Sequence, residues 1–165
     1  MVRVNWTIAP APVDGPEAFD MLRSYYADIV GRYYGRAATE REVAEAMADE
    51  PSGVLAPPTG EFLFARQDGE PVGCAGVRLL EPEIAELARV FVRPGRRGAG
   101  GGAALLAAAE KAARGLGAVV VRLDTRRDLV EARAMYARHG YAEIPPYHDG
   151  PYADHFFEKR LTGVR

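Results

Sequence analysis

Val90-Phe91-Val92-Arg93-Pro94-Gly95-Arg96-Arg97-Gly98-Ala99-Gly100-Gly101-Gly102-Ala103-Ala104-Leu105-Leu106 is the stretch on which the reading of this chain turns. An apolar β-rich run ends, a proline–glycine turn follows, and an alanine–leucine helix begins on glycines. Gly95, Gly98, Gly100, Gly101 and Gly102, five of the protein's 18 glycines, are bunched here. The first amides of a helix have no intrahelical partner and carry partial positive charge. Glycine lets phosphate oxygens approach that backbone with no Cβ in the way. Arg96 and Arg97 add permanent charge. The segment therefore reads as a turn built for a di- or triphosphate. A merely flexible loop would not need glycine in the first turn of a helix, where it costs about 1 kcal/mol against alanine.

Two nucleotide motifs fit poorly. Gly98-x-Gly100-x-x-Ala103 matches a dinucleotide fingerprint, with Asp124 ending the next strand. That fingerprint turns almost directly off its strand, whereas here Pro94 and its neighbours intervene. The strand before it also carries Glu86 and Arg89, unlike the continuous apolar run of a buried parallel strand. A phosphate-binding P-loop would need Gly-Lys-Ser/Thr, which is absent.

Outward from this turn, the pattern predicts an ordered series of elements. Arg3 to Ile8 reads as a strand. Pro16 opens a helix with Phe19, Leu22, Tyr26, Ile29, Val30 and Tyr33 as its stripe and Gly35 as its stop. A second helix starts at Thr39, where Thr39 and Glu42 form a capping box, and uses Val43, Ala46 and Met47 as its apolar face. Pro51 to Gly60 reads as an exposed loop. Glu61–Gln67 and Val72–Leu80 flank the hairpin signal Asp68-Gly69, and Ile84–Val92 follows as a third member. After the glycine turn come a helix (Gly102–Arg114), a strand (Ala118–Asp124), a helix (Leu129–His139) and two strands (Tyr141–Ile144, Asp154–Leu161). The order predicts an α/β fold of the α+β type: one mixed sheet with helices packed on it, in one domain spanning 1–165.

Val92-Arg93-Pro94-x-x-Arg97-Gly98-x-Gly100-x-Gly102 resembles the acyl-CoA-binding motif of the GNAT N-acetyltransferase superfamily, whose Arg/Gln-x-x-Gly-x-Gly/Ala core falls on Arg97, Gly100 and Gly102. Glu86-Leu87-Ala88-Arg89-Val90-Phe91-Val92 is similar to the family's fourth strand. Leu123-Asp124-Thr125 with Ala134-Met135-Tyr136-x-x-x-Gly140-Tyr141 is similar to its last motif. The resemblance implies a mostly antiparallel central sheet splayed between its fourth and fifth strands, with about four flanking helices. It implies acetyl-CoA as co-substrate, with Arg97, Gly98, Ala99, Gly100, Gly101, Gly102 and Ala103 at the pyrophosphate and the backbone of Phe91 and Val92 at the reacting carbonyl. It further implies direct transfer, in a ternary complex, to a primary amine of a small molecule.

Tyr136 is the candidate acid for the leaving thiolate, against a core-aromatic reading, and Glu86 is the candidate base, against an arginine-paired sheet residue. Strict alternation puts Glu86 on one face with Ala88, Val90 and Val92, opposite Leu87, Arg89 and Phe91. Tyr25, Tyr34 and Tyr147 are candidate acceptor-binding residues, the last on the loop Ile144-Pro145-Pro146-Tyr147-His148-Asp149-Gly150. Two further readings stay open: a non-catalytic acyl-CoA-binding module, and a protein or peptide acetyltransferase.

Composition narrows the partners. There are 23 acidic and 21 basic side chains, a net charge of −2, with 48% hydrophobic and 27% charged residues. That excludes a disordered chain and offers no bulk charge for nucleic acid or an anionic membrane. Cys74 reads as a small core residue. His139, His148 and His155 lack metal-ligand spacing, so no metal is expected. No secretory signal or membrane-length apolar run is seen, and a cytoplasmic enzyme is expected, with a homodimer left open.

Overall fold

The computed structural model describes residues 5–162. The elements run β1 (Thr7–Pro10), α1 (Pro16–Tyr34), α2 (Glu40–Asp49), β2 (Gly60–Gln67), β3 (Glu70–Glu81), β4 (Ile84–Val92), α3 (Gly101–Gly115), β5 (Val120–Thr125), α4 (Val130–Arg138), β6 (Ala142–Ile144) and β7 (His155–Arg160). They build one seven-stranded sheet in the order β1-β2-β3-β4-β5-β7-β6. Every neighbouring pair is antiparallel except β4–β5, which is parallel. Of the expected first strand, Arg3 and Val4 lie outside the described residues.

The local signals explain most boundaries. Gly35 ends α1 in the left-handed conformation (φ 69°), and its amide donates to the Gly31 carbonyl. At α2 both halves of the capping box form. Asp68 and Gly69 both take positive φ, as a two-residue hairpin turn requires.

Two apolar layers sandwich the sheet. On one face Ala18, Met21 and Leu22 of α1 pack on Phe62, Phe64, Cys74 and Phe91. On the other, Leu105, Leu106, Ala109 and Ala113 of α3 pack on Leu63, Ala75, Val77, Leu87 and Val121, with Tyr136 of α4 in the same cluster. The α1 stripe is narrower than expected: Phe19 and Tyr33 are 59% and 54% exposed, and Ala18 and Met21 take the buried positions. The helix turns its inner face toward Phe62 and Cys74, leaving both large rings at its edges. The expected exposed loop Pro51–Gly60 likewise tucks in Leu55, which is buried on Gly76. A Cβ at Gly76 would lie 2.6 Å from the Leu55 side chain.

The alternation expected along β4 fails after Ala88. Cys74 pairs with Phe91 and Gly76 with Ala88, so two steps on β3 oppose three on β4. This is a β-bulge, and Arg89 within it has φ 56°. Beyond the bulge the faces exchange. Val90 and Val92 join Leu87 on the α3 side, while Phe91 turns to the α1 side.

Candidate active site

β4 and β5 pair only at Ile84–Val120, Ala85–Val121 and Glu86–Arg122, then part. From Leu87 onward the β4 edge that faces β5 lacks a partner strand. A cleft of about 1200 Å³ lies along the gap. That exceeds the ~300–1,000 Å³ of an ordinary small-molecule pocket and leaves room for two reactants.

One end of the cleft is formed by Phe91, Val92, Arg97, Gly98, Gly100, Gly101, Gly102 and Ala103. Ala99, expected with them, is exposed and outside the lining. Gly100, at φ 90°, leads into α3 with no side chain bonded to the helix's first amides. The next two glycines serve packing: a Cβ on Gly101 would overlap the Trp6 ring, and one on Gly102 would lie 2.8 Å from the Met135 sulfur. Arg97 bends over this end. Its Nε donates to the Val92 carbonyl (2.7 Å), Nη2 to Asp28 (3.3 Å), and its guanidinium lies 5.6 Å from the Phe91 ring centre.

Aromatic rings from α1 also line the cleft. Tyr25 stands edge-on to Tyr26 and Phe91 at centroid distances of 4.9 and 5.9 Å. Tyr33, Tyr34 and Tyr152 form the rim, Tyr34 being 52% exposed. The buried Tyr26 hydroxyl has no hydrogen-bond partner among the described residues, and burial pushes this phenol up to about 12. Arg89 also lines the cleft. Its Nε donates to Ser52 Oγ (3.2 Å) and its Nη2 to the Glu50 carbonyl (3.1 Å). Cys74 sits beneath, its thiol donating to the Arg89 carbonyl (3.3 Å) and pushed up to about 12 by burial, which keeps it an unreactive core group.

Tyr136 of α4 lines the cleft and is 7% exposed. Burial, reinforced by the nearby Asp124 charge, raises its phenol far above the ordinary value, so it is neutral and can donate a proton. Glu86 is close by, but it is outside the cleft lining and both its oxygens are engaged. Arg78 donates to Oε1 from Nε (3.2 Å) and Nη2 (3.1 Å), and the Tyr147 hydroxyl donates to Oε2 (2.7 Å). Glu86, the expected base, is thus paired with Arg78 and Tyr147 in this structure. Tyr147, expected at the acceptor, is likewise outside the cleft lining and ties the loop after β6 to β4.

Beside Glu86, His148 Nε2 lies 2.7 Å from Asp124 Oδ2, and both residues line the cleft. Ligand atoms of Glu86, Asp124 and His148 fall within 4.8 Å of one another, a spacing compatible with a cation. Here each of the three is already hydrogen-bonded within the protein.

The sequence profile described as "Acetyltransferase (GNAT) family" matches residues 19–141. The chain belongs to this family. An IAA acetyltransferase of Azospirillum brasilense is 36% identical to this GNAT protein over 112 residues, covering 65% of this chain and 72% of that one. Among solved structures, a Klebsiella pneumoniae protein assigned to the acyl-CoA N-acyltransferases is 28% identical, with a TM-score of 0.72 over 95% of this chain and 98% of its own. PaiA N-acetyltransferase of Thermoplasma acidophilum, solved in complex with coenzyme A, is 20% identical. Its TM-score is 0.74 over 96% of this chain and all (100%) of that one.

In this GNAT chain the sequence motifs marked the phosphate-like end and Tyr136. They missed Asp124 and His148 as a pair, because the two are 24 positions apart and meet only when the loop after β6 folds back over β5. The one available signal was the Pro145-Pro146 loop, which carries His148 next to the acceptor candidate Tyr147.

Proposed function

We propose that this GNAT acetyltransferase moves the acetyl group of acetyl-CoA to a primary amine of a small molecule, with both reactants in the cleft at once. The observation that carries this reading is one cleft that brings three features together. Glycine-flanked helix amides and Arg97 suit a pyrophosphate. Tyrosine rings from α1 suit a small acceptor. The β4 edge from Leu87 to Val92 has no β5 partner and can pair with pantetheine as an added strand would.

In this arrangement the backbone near Phe91 and Val92 supports the oxyanion, and Tyr136 protonates the departing thiolate. Tyr25 and Tyr34 wall the acceptor. Arg89 and the unpartnered Tyr26 hydroxyl would meet an oxygen function carried beyond its amine. Glu86, held by Arg78 and Tyr147, fixes the loop after β6. The coenzyme A bound in the T. acidophilum relative supports the cofactor assignment.

The reading is tested by incubating the protein with acetyl-CoA and a panel of primary amines while following free thiol. Thiol release that depends on an added amine is expected. Tight acetyl-CoA binding by calorimetry without release for any amine would instead make the protein a non-catalytic acyl-CoA-binding module.

A further inference from the structure

The acceptor enters as an ammonium, and the reaction needs a group in the cleft to take its first proton. Three side chains meet at that point, and their hydrogen bonds decide among them. Glu86 has given Oε1 to Arg78 and Oε2 to Tyr147, and it does not reach the cleft surface. His148 accepts the Gly150 amide at Nδ1 (3.0 Å) and faces Asp124 with Nε2 (2.7 Å). A backbone N–H aimed at Nδ1 opposes a proton there, so the ring is the neutral tautomer with its proton on Nε2. It donates that proton to Asp124 and has no lone pair left for the acceptor. Asp124 keeps Oδ1 free of protein donors among the described residues, and 34% of its side chain is open toward the cleft.

We propose that Asp124 is the general base, and that Gly150 and His148 are positioning residues which hold its Oδ2 so that Oδ1 meets the acceptor nitrogen. This rests on the acetyl-transfer reading above. Asp124 takes one proton from the ammonium, and the freed amine forms the C–N bond at the thioester carbonyl. On collapse the C–S bond breaks, Tyr136 gives its phenolic proton to sulfur, and the second nitrogen proton refills Tyr136. Asp124 then releases its proton to water, leaving amide, free thiol and one proton.

The surroundings suit this role. Burial raises the Asp124 carboxyl above the ordinary aspartate value, the Glu86 charge adds to the rise, and His148 and Arg89 oppose it. Tyr136 from α4, Tyr147 beside His148 and Glu50 after α2 also face Asp124. The helper contact is tight: a Cβ on Gly150 would meet the His148 ring at 3.0 Å.

The test uses two acceptors, benzylamine, an ammonium at neutral pH, and hydroxylamine, already a free base there. Asp124→Asn should lower kcat/KM for benzylamine on the order of 100-fold at neutral pH, with acetyl-CoA affinity unchanged and a much smaller loss with hydroxylamine. Equal losses for both amines, or no loss, would overturn the proposal. A second measurement needs no acceptor: carbon-detected NMR titration of Asp124 in the free protein. Its carboxyl should titrate above the ordinary value and move higher still in His148→Ala, because a donor to the charged form has been removed. Gly150→Ala should move it the same way, by less. An Asp124 that titrates as an ordinary aspartate and ignores both changes would show that the chain of hydrogen bonds does not hold it. Amine-dependent thiol release from the unaltered protein tests the transfer reaction itself, so its failure is distinct from failure of the base.

Discussion

At the start of α2 the Thr39 hydroxyl accepts the Glu42 amide (3.1 Å), and the Glu42 carboxylate accepts the Thr39 amide (2.8 Å) and the Arg36 guanidinium (2.8 and 2.9 Å). At the start of α3 there is only Gly100, with no side chain on the helix's first amides. Every helix start presents the same unpaired donors and the same partial positive charge. At α2 the chain supplies its own anion, and the end is closed to any other. At α3, facing the cleft, it supplies glycine and leaves the donors available. Pointing a helix at a site is therefore not enough. The residues at its first turn decide whether that end stabilises the fold or receives a ligand.

The strongest way to break this contrast is to give α3 a cap like that of α2. Gly100→Asp places a carboxylate over the same amides and repels a pyrophosphate. Acetyl-CoA Kd should rise on the order of 100-fold, about 2.7 kcal/mol. The left-handed φ of 90° at this position adds a strain of roughly 1 kcal/mol to the folded state, which asparagine and aspartate tolerate better than most residues. Gly100→Asn carries similar strain without the charge and separates the two effects. Calorimetric titration with acetyl-CoA, alongside thermal unfolding, checks both. Equal affinity in Gly100→Asp and the parent would show that the phosphates do not sit on these amides.

A smaller effect separates the phosphate end of the cleft from the chemistry. Tyr136→Phe keeps the ring packed against Tyr141 and Phe157 but removes the hydroxyl. It should lower kcat about ten-fold and leave acetyl-CoA affinity alone, the reverse of the Gly100 pattern. Steady-state rates of thiol release with a turned-over amine measure it. Unchanged kcat would make Tyr136 a core residue only.

The legibility of the two helix starts explains what could be read in advance. Thr39-x-x-Glu42 and the glycines at the start of α3 are local signals, written in consecutive residues whose backbone demands are direct, and a helix begins at each. The mostly antiparallel sheet and the parting of β4 from β5 followed the resemblance carried by those motifs. The faces of β4 were not legible beyond Ala88. One bulged residue at Arg89 inverts every later side chain, and nothing in an alternating sequence marks where the extra residue falls. The Asp124–His148 and Glu86–Tyr147 contacts were hidden for a different reason. They depend on where a proline-rich loop lands, which is set by Tyr147 and His148 packing edge-on to Phe156 of β7.

At α2 the contrast is sharpened by opening the closed end. Thr39→Ala should cost about 1 kcal/mol of stability, seen as a fall in Tm of about 2–4 °C, with acetyl-CoA affinity unchanged. A change in that affinity would mean that this end also communicates with the cleft.

The weakest effect is carried by pH through Glu42. The Arg36 guanidinium first, and the Thr39 amide second, hold the Glu42 carboxyl down to about 2, below its ordinary value. A carboxylate whose folded value is depressed stabilises the fold fully above its unfolded value, about 4.3, and loses that contribution as pH falls toward the folded value. The stability difference between the parent and Glu42→Gln should therefore be largest at neutral pH, shrink below about pH 4 and nearly vanish near pH 2. The pair is partly open to solvent on the Arg36 side, so the difference should also narrow at high ionic strength. Denaturant unfolding of both proteins across that range measures it. A difference that persists undiminished into acid would place the cap's contribution in the Thr39 hydroxyl and helix packing. The charge on Glu42 would then have no part in closing this helix end.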